Sequence, residues 1–271
     1  FLGGCLQTGG TTAPATKETL STTTTSKIIL KERSDAIPSD ILKILPEADI
    51  YPPLLHSELY ETPAPLPGPV NTAGGEDSPF ILPDGKTLYF FFTPDVRVPA
   101  EKQLTDGATG IYKSVKLPDG SWGKPERIVL NDDIALDGAQ YVKDDVMWFC
   151  SARPGFTGVQ LFTAELVGGK WQNWQYAGDQ FPAGFEVGEL HFSPDWQELY
   201  YHSPRAGGKG GYDIWVTRKV NGAWQEPENI AIINSAETDG WPYLTPDGNE
   251  LWFTRIYMGS PAIFKSLKTN G

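Results

Sequence analysis

The chain has 271 residues, enough for one large domain or two small ones. It carries 22 Lys and Arg against 34 Asp and Glu, a net charge of −12, which argues against the basic face a nucleic-acid binder needs. Nine Trp, 11 Tyr and 13 Phe exclude disorder over most of the chain, and no apolar run reaches the roughly 18 residues that would span a bilayer. So many aromatics beside 29 Gly and 23 Pro predict short strands and tight turns, hence an all-β protein.

The chain opens with Phe1-Leu2-Gly3-Gly4-Cys5, and nine of residues 7–26 are Thr. Such a segment buries too little surface to offset its ordering entropy, so residues 1–26 are expected to be a flexible tether. Leu2-Gly3-Gly4-Cys5 resembles the lipobox of prokaryotic lipoproteins. The resemblance implies lipidation of Cys5 and an extracytoplasmic domain that meets the membrane only through that lipid. Cys150, in Met147-Trp148-Phe149-Cys150, reads as a small core hydrophobe, with a Cys5–Cys150 disulfide as the alternative. Residues 27–57 read as an N-terminal extension with one short capped helix, Ser39-Asp40-Ile41-Leu42-Lys43-Ile44-Leu45.

From residue 58 to 271 a repeat takes over. Its strand-one quintets are Glu76-Asp77-Ser78-Pro79-Phe80, Asp137-Gly138-Ala139-Gln140-Tyr141, Val187-Gly188-Glu189-Leu190-His191 and Asp239-Gly240-Trp241-Pro242-Tyr243. A turn follows each, Pro-Asp-Gly at 83–85 and 246–248, Pro-Asp at 194–195 and Asp-Asp at 144–145. Pro presets φ in such turns and Gly accepts the positive φ. Next come an aromatic strand, a third strand and, in three copies, an outer strand led by Trp122, Trp171 or Trp224. Four strands per repeat at a period near 50 predict a four-bladed β-propeller with blades starting near 76, 137, 187 and 239. A five-bladed alternative would need residues 26–57, which hold no matching turn or aromatic strand. The fourth copy lacks its outer strand, and Leu59-Tyr60-Glu61-Thr62-Pro63 imitates Trp224-Gln225-Glu226-Pro227. Residues 58–70 are therefore expected to close the last blade.

The run from His191-Phe192-Ser193-Pro194-Asp195 to Gly211-Tyr212-Asp213-Ile214-Trp215 resembles the WD40-like PD40 repeat of TolB-type propellers. That resemblance implies a binding or scaffolding module more than any one activity.

Two sets of residues are candidates for function. Glu76, Asp137, Glu189 and Asp239 lie near the strand-one starts, where clustered carboxylates serve either as backbone acceptors, as a channel site for Ca²⁺, or as a glycosidase pair. Arg153, Arg205 and Arg255 follow the second strands, with Arg97 as a displaced fourth member. With Asp77, His191 and Trp241 they form an expected rim for an envelope protein or glycan, the alternative being salt bridges between blades. The three His lack metal-ligand spacing, and no cofactor motif is present. The expected function is a lipid-anchored, non-enzymatic binding module. A carbohydrate-active hydrolase or lyase is the alternative.

Overall fold

The computed structural model describes residues 29–130, 135–182 and 187–269. The expected tether and Cys5 lie outside the described residues. Four antiparallel sheets follow one another along the chain. Blade one holds β1 (Gly75–Ile81), β2 (Thr87–Thr93), β3 (Gly110–Val115) and β4 (Glu126–Arg127). Blade two holds β5 (Leu136–Lys143), β6 (Val146–Ala152), β7 (Gln160–Val167) and β8 (Lys170–Tyr176). Blade three holds β9 (Leu190–Phe192), β10 (Glu198–Ser203) and β11 (Asp213–Val220), with an outer strand in two pieces, β12 (Ala223–Trp224) and β13 (Glu228–Asn229). Blade four holds β14 (Asp239–Leu244), β15 (Glu250–Tyr257) and β16 (Ser260–Leu267). The chain is a four-bladed β-propeller, and the five-bladed alternative falls away.

Local chemistry sets the turns. Gly85 takes φ 63° and its N–H donates to Leu82 O at 2.9 Å. Blade two has no Pro-Asp-Gly because it needs none. Asp144 and Asp145 both take positive φ and form a two-residue hairpin loop of the primed kind. In blade three Trp196 stands at the glycine position with φ 62°. Its indole donates to Asp144 at 3.1 Å and lies 4.6 Å from Lys143 Nζ, so contacts with blade two hold the strained backbone.

The second strands are buried because a blade packs on both faces. Tyr89, Phe149, Phe162 and Trp171 fill the seam between blades one and two. Trp148, Phe192, Tyr201 and Trp224 fill the next, and Ile214, Leu244, Leu251 and Phe253 the third. Each such side chain contributes roughly 1.5–3 kcal/mol by leaving water.

The remaining face of blade one is covered by the N-terminal extension. Ala36 and Ile37 pack on Phe90, Phe92, Tyr112 and Trp122. The helix here is α1 (Arg33–Ala36), not the expected run at 39–45. Leu42 and Ile44 of that run are exposed, and so short a segment with no buried face does not hold a helix.

The expected closing strand at 58–70 does not form. Among the described residues blade four is three-stranded, and Tyr60 meets it through its side chain, edge-on to Trp252 at 5.8 Å between centroids and beside Lys265. Prolines at 63, 65, 67 and 69 remove the N–H groups a ladder needs. Cys150, on β6, is in a disulfide rather than being a lone core thiol, and the partner falls outside the described residues.

Arg33 fastens the extension. Its guanidinium donates to Pro69 O and Val70 O at 2.5 and 2.9 Å, pairs with Glu76 at 3.2 Å, and lies over Phe90, Phe92 and Tyr112. Arg33→Met leaves Glu76 without its countercharge and is expected to cost roughly 3 kcal/mol or more. Arg97→Met, at an exposed pair, costs under about 1 kcal/mol. Urea midpoints at unchanged m-value measure both.

Candidate functional site at the propeller axis

The strand-one carboxylates do not form a ring in the channel. Asp137 accepts from Arg153 at 2.5 Å and from Ser151 at 2.6 Å. Asp239 accepts from Arg255 at 2.6 Å and from the Ser235 N–H and hydroxyl at 2.6 and 2.7 Å. Glu76 is held by Arg33 and by the Thr72 hydroxyl at 2.6 Å. Each of these arginines also lies on its blade's own aromatics. Arg153 is within 4.3–5.3 Å of Phe149, Phe162 and Trp174, and Arg255 within 5.1–5.5 Å of Phe253 and Phe264. The pairs therefore sit within blades, not between them or on an open rim.

Blade three departs because Val187 stands where the acid should be. Arg205 keeps its ring, Trp215 at 5.0 Å, but turns to Glu226 at 3.7 Å. Arg97 is no member of the column; its exposed guanidinium pairs with buried Asp95 and exposed Asp40. Its place is taken by Arg33, which no repeat alignment includes. The Gly207–Gly211 loop is also pinned, since Asp213 accepts from the Lys209 and Gly210 N–H groups at 2.6 and 2.9 Å.

What reaches the axis is the third residue of each quintet. β1, β5 and β14 each skip register there, and Ser78, Ala139 and Trp241 take φ of 48°, 49° and 54°. Such bulges re-aim a side chain and twist the strand. Ser78 Oγ donates to Glu189 Oε1 at 2.8 Å, from blade one to blade three across the ring. Gln140 Nε2 donates to Ser78 O at 2.6 Å. His202 Nδ1 accepts from the Trp241 N–H at 3.1 Å, so its proton is on Nε2, 3.7 Å from Glu189 Oε2. A Cβ on Gly188 would run into the His202 ring, which is why glycine stands there.

The fifth residues form a second layer. Phe80 contacts Tyr141 at 5.0 Å and His191 at 6.1 Å, and His191 contacts Tyr141 and Tyr243 at 4.8 Å each. One aromatic ring from every blade thus meets at the axis.

Electrostatics mark Glu189 as the unusual group. Burial, with the nearby Asp77 charge, pushes its carboxyl up to about 7. Glu189 Oε2 and Gln140 Oε1 make no hydrogen bond among the described residues. Burial holds His191 and His202 down at about 4, so both are neutral at pH 7. Of the expected site residues, Asp77, Glu189, His191 and Trp241 come together here. Asp137, Asp239, Arg153, Arg205 and Arg255 do not. Ser78, Gln140 and His202 belong to the site but carry no repeat signal that marks them. Among the described residues no three His, Cys, Asp or Glu side chains are grouped to hold a metal ion, and no helix is long and apolar enough to cross a membrane.

No protein-family profile matches the chain, and no curated protein matches it. Several solved structures resemble it. A TolB from Agrobacterium tumefaciens is 21% identical, with 65% of this chain and 52% of that one covered and a TM-score of 0.38. A puromycin-hydrolyzing peptidase of Mycobacterium tuberculosis is 14% identical over 76% of this chain and 39% of its own, at 0.40. A puromycin hydrolase is 16% identical over 74% and 31%, at 0.36. The chain spans about half or less of each. The propeller assignment rests on the strand order itself.

The Glu189 shift has a definite sign. The folded state holds this proton more tightly than an ordinary carboxyl near 4.5, so its share of stability is full below that pH and falls away as pH rises to about 7. His191 and His202 act oppositely, losing stability as pH falls from 6.5 toward 4. Comparing wild type with Glu189→Gln isolates the carboxyl. The variant is expected to gain relative stability between pH 4.5 and 7, on the order of 3 kcal/mol, with no further change above pH 8. Urea titrations across pH measure it.

Proposed function

We propose that this protein is an extracytoplasmic binding module that does no chemistry on its ligand. The observation that supports this reading is the filled axis. The Ser78–Glu189 bond spans the ring, and the layer of Phe80, Tyr141, His191 and Tyr243 lies two residues further along the strands. An enzyme of the glycosidase kind needs two carboxyl groups facing an open sugar site. Here Asp137 and Asp239 are spent on arginines inside their blades. The ligand, an envelope protein or glycan, then meets the outer surface of the propeller. The net charge of −12 disfavours nucleic acid as that ligand.

One observation favours the hydrolase reading. Glu189, raised to about 7 beside Asp77, has the poise of a general acid. A glycan array run with a hydrolysis screen separates the two. Retention without turnover is expected, unaffected by Glu189→Gln. Turnover that disappears in Glu189→Gln and Asp239→Asn overturns the binding reading.

The lipid anchor is proposed on Leu2-Gly3-Gly4-Cys5 alone. The chain has two cysteines, so a thioether lipid on Cys5 and a disulfide from Cys150 within one molecule compete for the same sulfur. Mass spectrometry of the native protein decides between them: acyl chains on Cys5 together with a free Cys150 thiol carry the anchor. A crosslinked Cys5–Cys150 peptide pair would sink the anchor.

A further inference from the structure

We propose that Arg205 of blade three is a binding site for a carboxylate carried by a partner protein. The proposal rests on the binding-module reading and names the chemistry of that module's ligand.

The other three blades each give their stacked arginine a carboxylate at hydrogen-bond distance. Arg33 has Glu76 at 3.2 Å, Arg153 has Asp137 at 2.5 Å and Arg255 has Asp239 at 2.6 Å. Blade three repeats the frame around this pair. Ser203-Pro204-Arg205 matches Ser151-Ala152-Arg153, and the Arg205 guanidinium lies over the Trp215 ring at 5.0 Å. Val187, however, stands at the position of Asp137 and Asp239, so two methyl groups replace the acceptor.

The result is a guanidinium without a close countercharge. Among the described residues the nearest carboxylate is Glu226, at 3.7 Å, outside hydrogen-bond range and on a side chain that is 75% exposed. The Tyr201 hydroxyl lies beside the guanidinium but is neutral, because burial pushes the phenol up. Arg205 Nη1 is buried and has no hydrogen-bond acceptor among the described residues. A charged donor left in that state is costly, and an anion brought by a ligand relieves the cost. The path is open, since the Arg205 side chain is 23% exposed where that of Arg153 is fully covered.

A guanidinium fork fits a carboxylate through two parallel N–H···O bonds, which names the chemical group. Two observations make it a protein's carboxylate and not a glycan's. A sugar ring needs an open aromatic face to lie on, and Trp215 is buried with Arg205 itself over the ring. An acidic glycan also brings many charges, which a chain of net charge −12 repels, whereas a protein segment can present one. Four acids of this chain, Glu18, Asp132, Asp133 and Glu186, lie outside the described residues, and their claim on Arg205 is one outcome of the test.

The probe is the peptide acetyl-Gly-Glu-Gly-amide, titrated at constant ionic strength into the full chain while the arginine Nε–Hε signals are followed by NMR. The Arg205 signal is the one that Arg205→Lys removes. A saturable shift of that signal is expected, with the matching Gln peptide at least about tenfold weaker. Val187→Asp gives the chain its own carboxylate at the acid's position and is expected to weaken the peptide about tenfold or more. Glu226→Gln, an exposed change that leaves the fold alone, removes the competing charge and is expected to strengthen it roughly twofold to fivefold. Circular dichroism checks that both variants stay folded. The proposal is overturned if the Arg205 signal ignores the Glu peptide or answers the Gln peptide equally. It is also overturned if the signal responds only once Glu18, Asp132, Asp133 or Glu186 is neutralised, or if glucuronate binds about tenfold tighter than the peptide. None of these outcomes touches the binding-module reading, which falls only with turnover in the hydrolysis screen.

Discussion

A guanidinium lying on aromatic rings and paired with a buried carboxylate organises this propeller. Cation–π contact and charge-assisted hydrogen bonding act on the same group, so the arginine fills apolar space without leaving a bare charge in it. Blades two and four build the stack from their own strands, Arg153 with Asp137 and Arg255 with Asp239. Blade one has the carboxylate and the rings but no arginine directly after β2, and takes Arg33 from 43 residues upstream of Glu76. Blade three has lost the acid to Val187, and its arginine turns to a peripheral glutamate and to Tyr201. The N-terminal extension is thus a structural part of blade one.

Four blades leave little room at the centre. Opposite inner strands come close enough for Ser78 to bond Glu189, which a wider ring would not allow. The repeat's polar residues near the axis then serve cohesion between blades. Glu189 tolerates burial by holding a proton, and His202 by staying neutral. Surface available for recognition shifts outward, to edges and seams.

The blades were legible because their signals are local. Pro-Asp-Gly at 83–85 and an aromatic run after it mean the same thing wherever they occur. The bulges were not legible. Ser78, Ala139 and Trp241 share a positive φ but no side-chain chemistry, and none is glycine. Arg33 was missed because it lies outside the repeat; the lack of an arginine within two residues of Thr93 was the available sign. The closing strand was misread from the likeness of Tyr60-Glu61-Thr62-Pro63 to Trp224-Gln225-Glu226-Pro227. The prolines at 63, 65, 67 and 69 argued otherwise, because a ladder is counted in N–H groups. Of the expected site, only residues on bulged strands or beside them converged, since the bulge decides which side chain faces the axis.

The borrowed arginine has a mechanical consequence. Arg33 is bonded to Pro69, Val70 and Glu76, and Lys31 N–H is bonded to Gly107 O at 3.0 Å. Tension applied to the chain ahead of Lys31 therefore enters the domain at these bonds and loads blade one first. The point where the chain is held is also the first point at which the domain yields to a pull.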